Sequence, residues 1–124
     1  MGLDMYAYTT KRRLWKGVDL PQHDADIQIF SWRKHPNLHG WMHNLYEAKE
    51  GRDPEFNCAT VELRAVDLDA LEWAITSKRL PHTTGFFFGS STNNEDERAE
   101  DLKFVRQARA AIEQGLCVYY TAWW

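Results

Sequence analysis

Along this chain the apolar positions change period several times, and each change marks an expected element. Residues 3–9, LDMYAYT, alternate weakly and are rich in aromatics. IQIFSW, 27–32, is β-branched and aromatic, so both stretches predict strands. Residues 10–26 between them are polar, with Gly17, Pro21 and the acids of DAD, and read as a loop. Pro36 discourages helical geometry at His35, Asn37 is a good N-cap and Gly51 a stop, which predicts a helix over 37–50. FNCATVEL, 56–63, predicts a third strand. Asp67 then caps a helix, with Val66 and Leu71 as a hydrophobic staple, ending before Pro81.

TTGFFFG, 83–89, is a short apolar run between glycines and predicts a buried strand. The acids of SSTNNEDE enter a long helix running to about Gln114, with Gly115 as its stop. LCVYYTAWW is apolar on both faces, the mark of a strand inside a sheet. The order β–β–α–β–α–β–α–β predicts a single α+β domain over residues 1–124. It combines a mixed β-sheet of about four or five strands with three helices.

Composition narrows the function classes. Hydrophobic residues make up 44% and charged residues 27%, which excludes a disordered chain. A formal net charge of −3 argues against a nucleic-acid partner. The one basic cluster, KRRLWK at 11–16, reads as a solvated turn or a basic arm around Trp15. Cys58 and Cys117 form no CxxC, so neither a disulfide framework nor a zinc knuckle is expected. Both lie in apolar strand patterns, where cysteine is usually inert; Cys58 would need a histidine beside it to act as a nucleophile. No apolar run has signal or transmembrane length, so a cytoplasmic location and no membrane partner are expected.

Candidate chemistry concentrates in HPNLHGWMH, 35–43. On a helix, Leu38, Trp41, Met42 and Leu45 gather into a buried stripe. His39 and His43 share its flank beside Tyr46, with Glu47 and Glu50 further round, while the preceding turn holds His35. A His pair at i, i+4 can chelate a divalent metal, with His35, Glu47 or a residue of another element as third ligand. HExxH is absent, and boundary histidines bonded to backbone or carboxylates would give the same spacing. Metal ligation by His35, His39 and His43, acid/base work and plain packing all stay open.

A second clue lies on the last helix. Asp101 falls within the apolar face of Phe104, Val105, Ala108, Ala111 and Ile112, with Glu97 one turn earlier. An inward carboxylate is costly unless paired, so Arg33, Lys34, a histidine or a cation is the expected partner, unless Asp101 lies just beyond the stripe. His82, Thr83 and Thr84 stand at the mouth of the expected strand, and GSST offers donors to an anion. Neither GxxxxGK[ST] nor GxGxxG is present.

Taken together, MGLDMY, FSWRKHPNLHGWM, the FNC triplet, LPHTTGFFFGSS and VYYTAWW resemble a family of small uncharacterised proteins of tailed bacteriophages and bacterial prophages. The likeness spans essentially the whole chain. Some members carry a phosphoglycerate kinase label, which this chain is too short and too poor in nucleotide motifs to support. The family's distinctive polar residues fall here at Asp4, Arg33, His35, Asn37, His39, Asn57, His82, Thr83, Thr84 and Asp101. His43 departs from the pattern, which favours His35 and His39 with His82 and Asp101 over a His39–His43 metal pair.

Two functions follow as expectations. In the first, a small enzyme or ligand-binding protein has His35, His39, His82 and Asp101 as its catalytic residues, with His35 and His39 as acid/base or ligand groups and Asp101 orienting a histidine. Arg33 or His82 receives an anionic ligand, Trp32 and Trp41 wall the pocket, and Asn37, Asn57, Thr83 and Thr84 contact the small molecule. In the second, a phage accessory protein binds a host macromolecule, most simply a host protein. It does so through exposed Trp and Tyr, among them Trp123 and Trp124, with the KRRLWK arm, and its histidines are structural.

Overall fold

The computed structural model describes residues 2–85 and 88–124. It contains β1 (Asp4–Thr10), β2 (Ile27–Arg33), α1 (Pro36–Ala48), β3 (Thr60–Leu63), α2 (Ala65–Thr76), α3 (Glu95–Glu113) and β4 (Cys117–Trp123). The four strands form one sheet in the order β2-β1-β4-β3. Every strand pairing among the described residues is antiparallel, so the sheet of this α+β domain is antiparallel where a mixed one was expected. β4 lies between β1 and β3, as its unbroken apolar run requires.

Alternation sorts the sheet into two faces. Met5, Ala7, Val118, Tyr120, Ala122, Val61 and Leu63 join the main core with Leu38, Met42, Leu71, Phe104 and Val105 from the helices. On the other face Tyr8 stacks on Tyr119, and Leu14 and Leu20 of the 11–26 loop pack over Tyr119. Asp26 pins that loop: Arg12 Nη2 lies 2.7 Å from its Oδ2, and the Tyr119 hydroxyl donates to the same oxygen at 2.6 Å. Burial alone would raise its pKa. The hydrogen bonds from Tyr119, Thr10, the His23 backbone and Arg12 outweigh that and bring it to about 2.

Several expected boundaries move, each for a local reason. The third strand begins at Thr60, not at residue 56, because Phe56 and Cys58 take left-handed backbone conformations at φ 51° and 62°. Asp67 is not the N-cap of α2. It stands at the third helical position and accepts from the Arg64 N–H at 2.9 Å, completing the acidic half of a capping box. Val66 therefore falls in the first turn and is exposed, so no staple forms with buried Leu71. Phe86 and Phe87 of the expected 83–89 strand lie outside the described residues; 83–85 and 88–89 carry no strand. The Asn94 side chain caps α3 by accepting from Glu97 N, and Gly115, at φ 87°, follows its end.

The buried stripe of α1 is rotated from the expected one. Leu38 and Met42 are buried, but His39 and Tyr46 join them, while Trp41 and Leu45 are only half-buried. Gly40 explains how the 81–84 segment docks there. A Cβ at Gly40 would lie 1.9 Å from Thr83 Oγ1, so only glycine admits that approach. Gly40→Ala is expected to push Thr83 away and to cost about 1–3 kcal/mol, the usual range for overpacking, as read by urea unfolding.

Candidate functional site

α1 starts in an unusual way, and the site grows from that start. His35 is its N-cap residue and gives no side-chain cap, Pro36 follows, and Asn37, expected as the cap, sits inside the helix. The exposed amides are met from a distant segment: Asn37 N–H donates to Ser91 Oγ at 3.0 Å. Asn37 returns the contact through its side chain, whose Oδ1 accepts from Thr83 N at 3.0 Å. Residues 83 and 91 thus bracket the first turn of α1.

Freed from capping its own helix, the His35 ring turns toward α3. It is 4% exposed, and both nitrogens are engaged. Nε2 lies 2.8 Å from Asp101 Oδ2, and Nδ1 lies 2.7 Å from Ser91 Oγ. Asp101, 1% exposed, also accepts from Trp32 Nε1 at 3.2 Å. The inward carboxylate read from the helical pattern therefore has its partners, a histidine and an indole, not Arg33 or Lys34. A carboxylate can only accept, so in the neutral ring Nε2 carries the hydrogen and Nδ1 is free to accept from the Ser91 hydroxyl. The result is a directed chain, Ser91 O–H to His35 to Asp101, with Trp32 locking the far end. Glu97 Oε2 stands 3.7 Å from Nδ1 and accepts from the Thr92 amide, while its Oε1 accepts from the Asn93 amide.

Above this chain opens a groove of about 570 Å³ between the end of β2 and the first turns of α3. Phe30 and Trp32 form its apolar floor, Arg33 and Lys34 one rim, and Asp96, Glu97 and Glu100 the other. Trp32 is held by the edge of Phe104, ring centres 4.8 Å apart. Arg33 Nε lies 3.4 Å from Asp4 Oδ1, whereas Lys34 makes no ion pair among the described residues.

His39 does not join His35. One turn along α1 it enters the core, 1% exposed, with Nδ1 2.8 Å from the Tyr120 hydroxyl. Phe56 stacks on its ring, and Phe88 and Trp124 meet it edge to face. Its Nε2 has no hydrogen-bond partner among the described residues. Burial, with a smaller contribution from nearby His43, lowers its pKa to about 3. His43 is half-buried, its Nε2 3.7 Å from Glu47 Oε1. Among the described residues no three His, Cys, Asp or Glu side chains are grouped to hold a metal, so His35, His39 and His43 do not converge.

The other expected ligand contacts scatter. His82 and Thr84 are exposed, and none of His82, Thr83, Thr84, Trp41 or Asn57 lines the groove. Asn57 pairs instead with the Trp124 backbone, accepting from its N–H at 3.3 Å. Cys58 is exposed, not part of an apolar strand. Trp32, Arg33, His35 and Asp101 come together; Ser91 and Glu97 complete them. Compared with family models, curated proteins and solved structures, the chain matches none. Among the described residues no helix is long and apolar enough to cross a membrane.

Proposed function

We propose that the protein is a small ligand-binding enzyme working through the Trp32–His35–Asp101 groove. The observation that carries this reading is the Ser91–His35–Asp101–Trp32 chain, buried at His35 and Asp101, lying beneath an open, aromatic-floored groove. Packing needs no such chain: a buried histidine and carboxylate are costly, and apolar residues of the same shape would serve the fold as well. Asp101 orients the ring, and the two rims set the ligand. A cationic group faces Asp96, Glu97 and Glu100, a flat apolar part covers Trp32, and an acyl or anionic oxygen meets Arg33 or Lys34.

Titration of the protein with cationic aromatic fragments such as benzylamine or tyramine, followed by NMR, tests this. The Trp32 indole N–H reports directly, because Asp101 accepts from it. It is expected to shift together with the Glu97 and Ser91 amides. Glu97→Gln combined with Glu100→Gln should weaken binding about fivefold to thirtyfold, the effect of roughly 1–2 kcal/mol of lost charge pairing. Fragments at millimolar concentration that leave those three resonances unmoved would remove the groove from consideration.

A further inference from the structure

We infer that Ser91 is a nucleophile for acyl transfer, and that the groove takes small esters or amides bearing a cationic group. This rests on the groove being the ligand site. Neither nitrogen of His35 is free to meet a ligand: Nε2 is closed by Asp101, and Nδ1 by Ser91. Any proton His35 takes must come through the Ser91 hydroxyl. That hydroxyl belongs to a half-buried residue between Ser90 and Thr92, both of which line the groove.

The hydrogen-bond roles fit an activated hydroxyl. Asn37 N–H donates to Ser91 Oγ, which fixes the oxygen's position and occupies one lone pair. The hydroxyl hydrogen is then directed to His35 Nδ1, and the second lone pair remains for attack. Asp101, held by Trp32, keeps the hydrogen on Nε2, the tautomer that leaves Nδ1 basic. The connectivity is that of a serine–histidine–carboxylate triad with the two ring nitrogens exchanged.

In the proposed step, Ser91 Oγ bonds to the acyl carbon as its proton passes to His35 Nδ1. The carbonyl oxygen takes the negative charge, and Arg33 and Lys34 are the cations lining the groove to meet it. The bond to the leaving alcohol or amine breaks as Nδ1 returns the proton to that group. Water then attacks the acyl-serine, gives one proton to Nδ1, and the collapse of the adduct releases a carboxylic acid. Ser91 recovers its hydrogen from Nδ1, and no oxidant or reductant is required.

An alkyl fluorophosphonate with a terminal ammonium tests the assignment without a known substrate. Ser91 Oγ would displace fluoride, and intact-protein mass spectrometry counts the adduct while peptide mapping locates it. The expected result is one adduct per chain, confined to Ser91 and absent after unfolding in urea. Ser91→Ala should abolish it, and Asp101→Asn should slow it about 10²-fold or more, the usual share of general-base assistance. No adduct on the folded protein, or adducts spread equally over Ser90, Ser91 and Thr92, would overturn the proposal. Mapping on the unaltered chain keeps the test valid even where Ser91→Ala fails to fold. If cationic fragments still shift the Trp32 indole while Ser91 stays unlabelled, only the nucleophile fails; if neither responds, the groove reading fails with it.

Discussion

Replacing Asp101 by alanine lowers the stability of the fold by about 2–4 kcal/mol, measured by urea unfolding. The figure follows from what is left behind: the His35 and Trp32 N–H groups lose the acceptor they have among the described residues, and each orphaned buried donor costs about 1–3 kcal/mol. Relief of a buried carboxylate charge offsets part of the loss. Trp32 reports locally, because its ring rests on Phe104 and loses its anchor at the other end. A loss below about 1 kcal/mol would mean that water meets Asp101, and that the chain from Ser91 is not closed in solution.

Acidification should destabilise the protein well above the range where carboxylates titrate. His39 takes its proton at about 3 in the folded state, against an ordinary value of 6.5. Its contribution is fully present above about pH 6.5 and is lost as the pH falls toward 3, where the folded form also binds the proton. Within that window each unit costs up to about 1.4 kcal/mol. Asp26, lowered to about 2 from 3.8, contributes only from the acid end, its share disappearing between those values. The double variant His39→Phe with Tyr120→Phe removes both partners at once, so its stability near neutrality should change little. Its pH dependence between 6.5 and 4 should be flatter than that of the unaltered chain. Parallel curves would show that water reaches His39 and solvates the charge.

How much of this was legible depends on whether the governing contact is local. The alternation of LDMYAYT and IQIFSW, the apolar run of LCVYYTAWW and the glycine after Gln114 report nearest-neighbour physics, and those elements lie where the pattern puts them. Asp101 was legible for the same reason, since one helical wheel shows a carboxylate on an apolar face. His35 and His39 are four residues apart, yet they serve different surroundings. His35 sits at the cap and turns outward to α3, while His39 is carried one turn into the core. No spacing rule separates them.

Ser91 was legible only as one of the hydroxyl donors of GSST, with nothing local to single it out from Ser90 and Thr92. It caps a helix more than fifty residues earlier in the chain, so its Oγ is explained by Asn37 and His35, not by its neighbours Ser90 and Thr92. The shortened third strand has a similar origin. Phe56 is fully buried among Tyr46, His39 and Tyr120, and its left-handed backbone, which an apolar run does not announce, accompanies that placement.

The middle of the sheet is a pairing of residues 4–10 with residues 117–123. The ribosome therefore releases the first half of that pairing long before the second exists. Until Cys117–Trp123 emerges, β2 can zip onto β1 as a lone hairpin of marginal stability, and β3 has its short bridge to Val18 but not its partner strand. Helices α2 and α3, which pack on each other, can gather earlier, but the core facing them cannot close. Structure should arrive in one late, cooperative event once the last strand slides between β1 and β3, with the slow kinetics of a fold closed by distant partners.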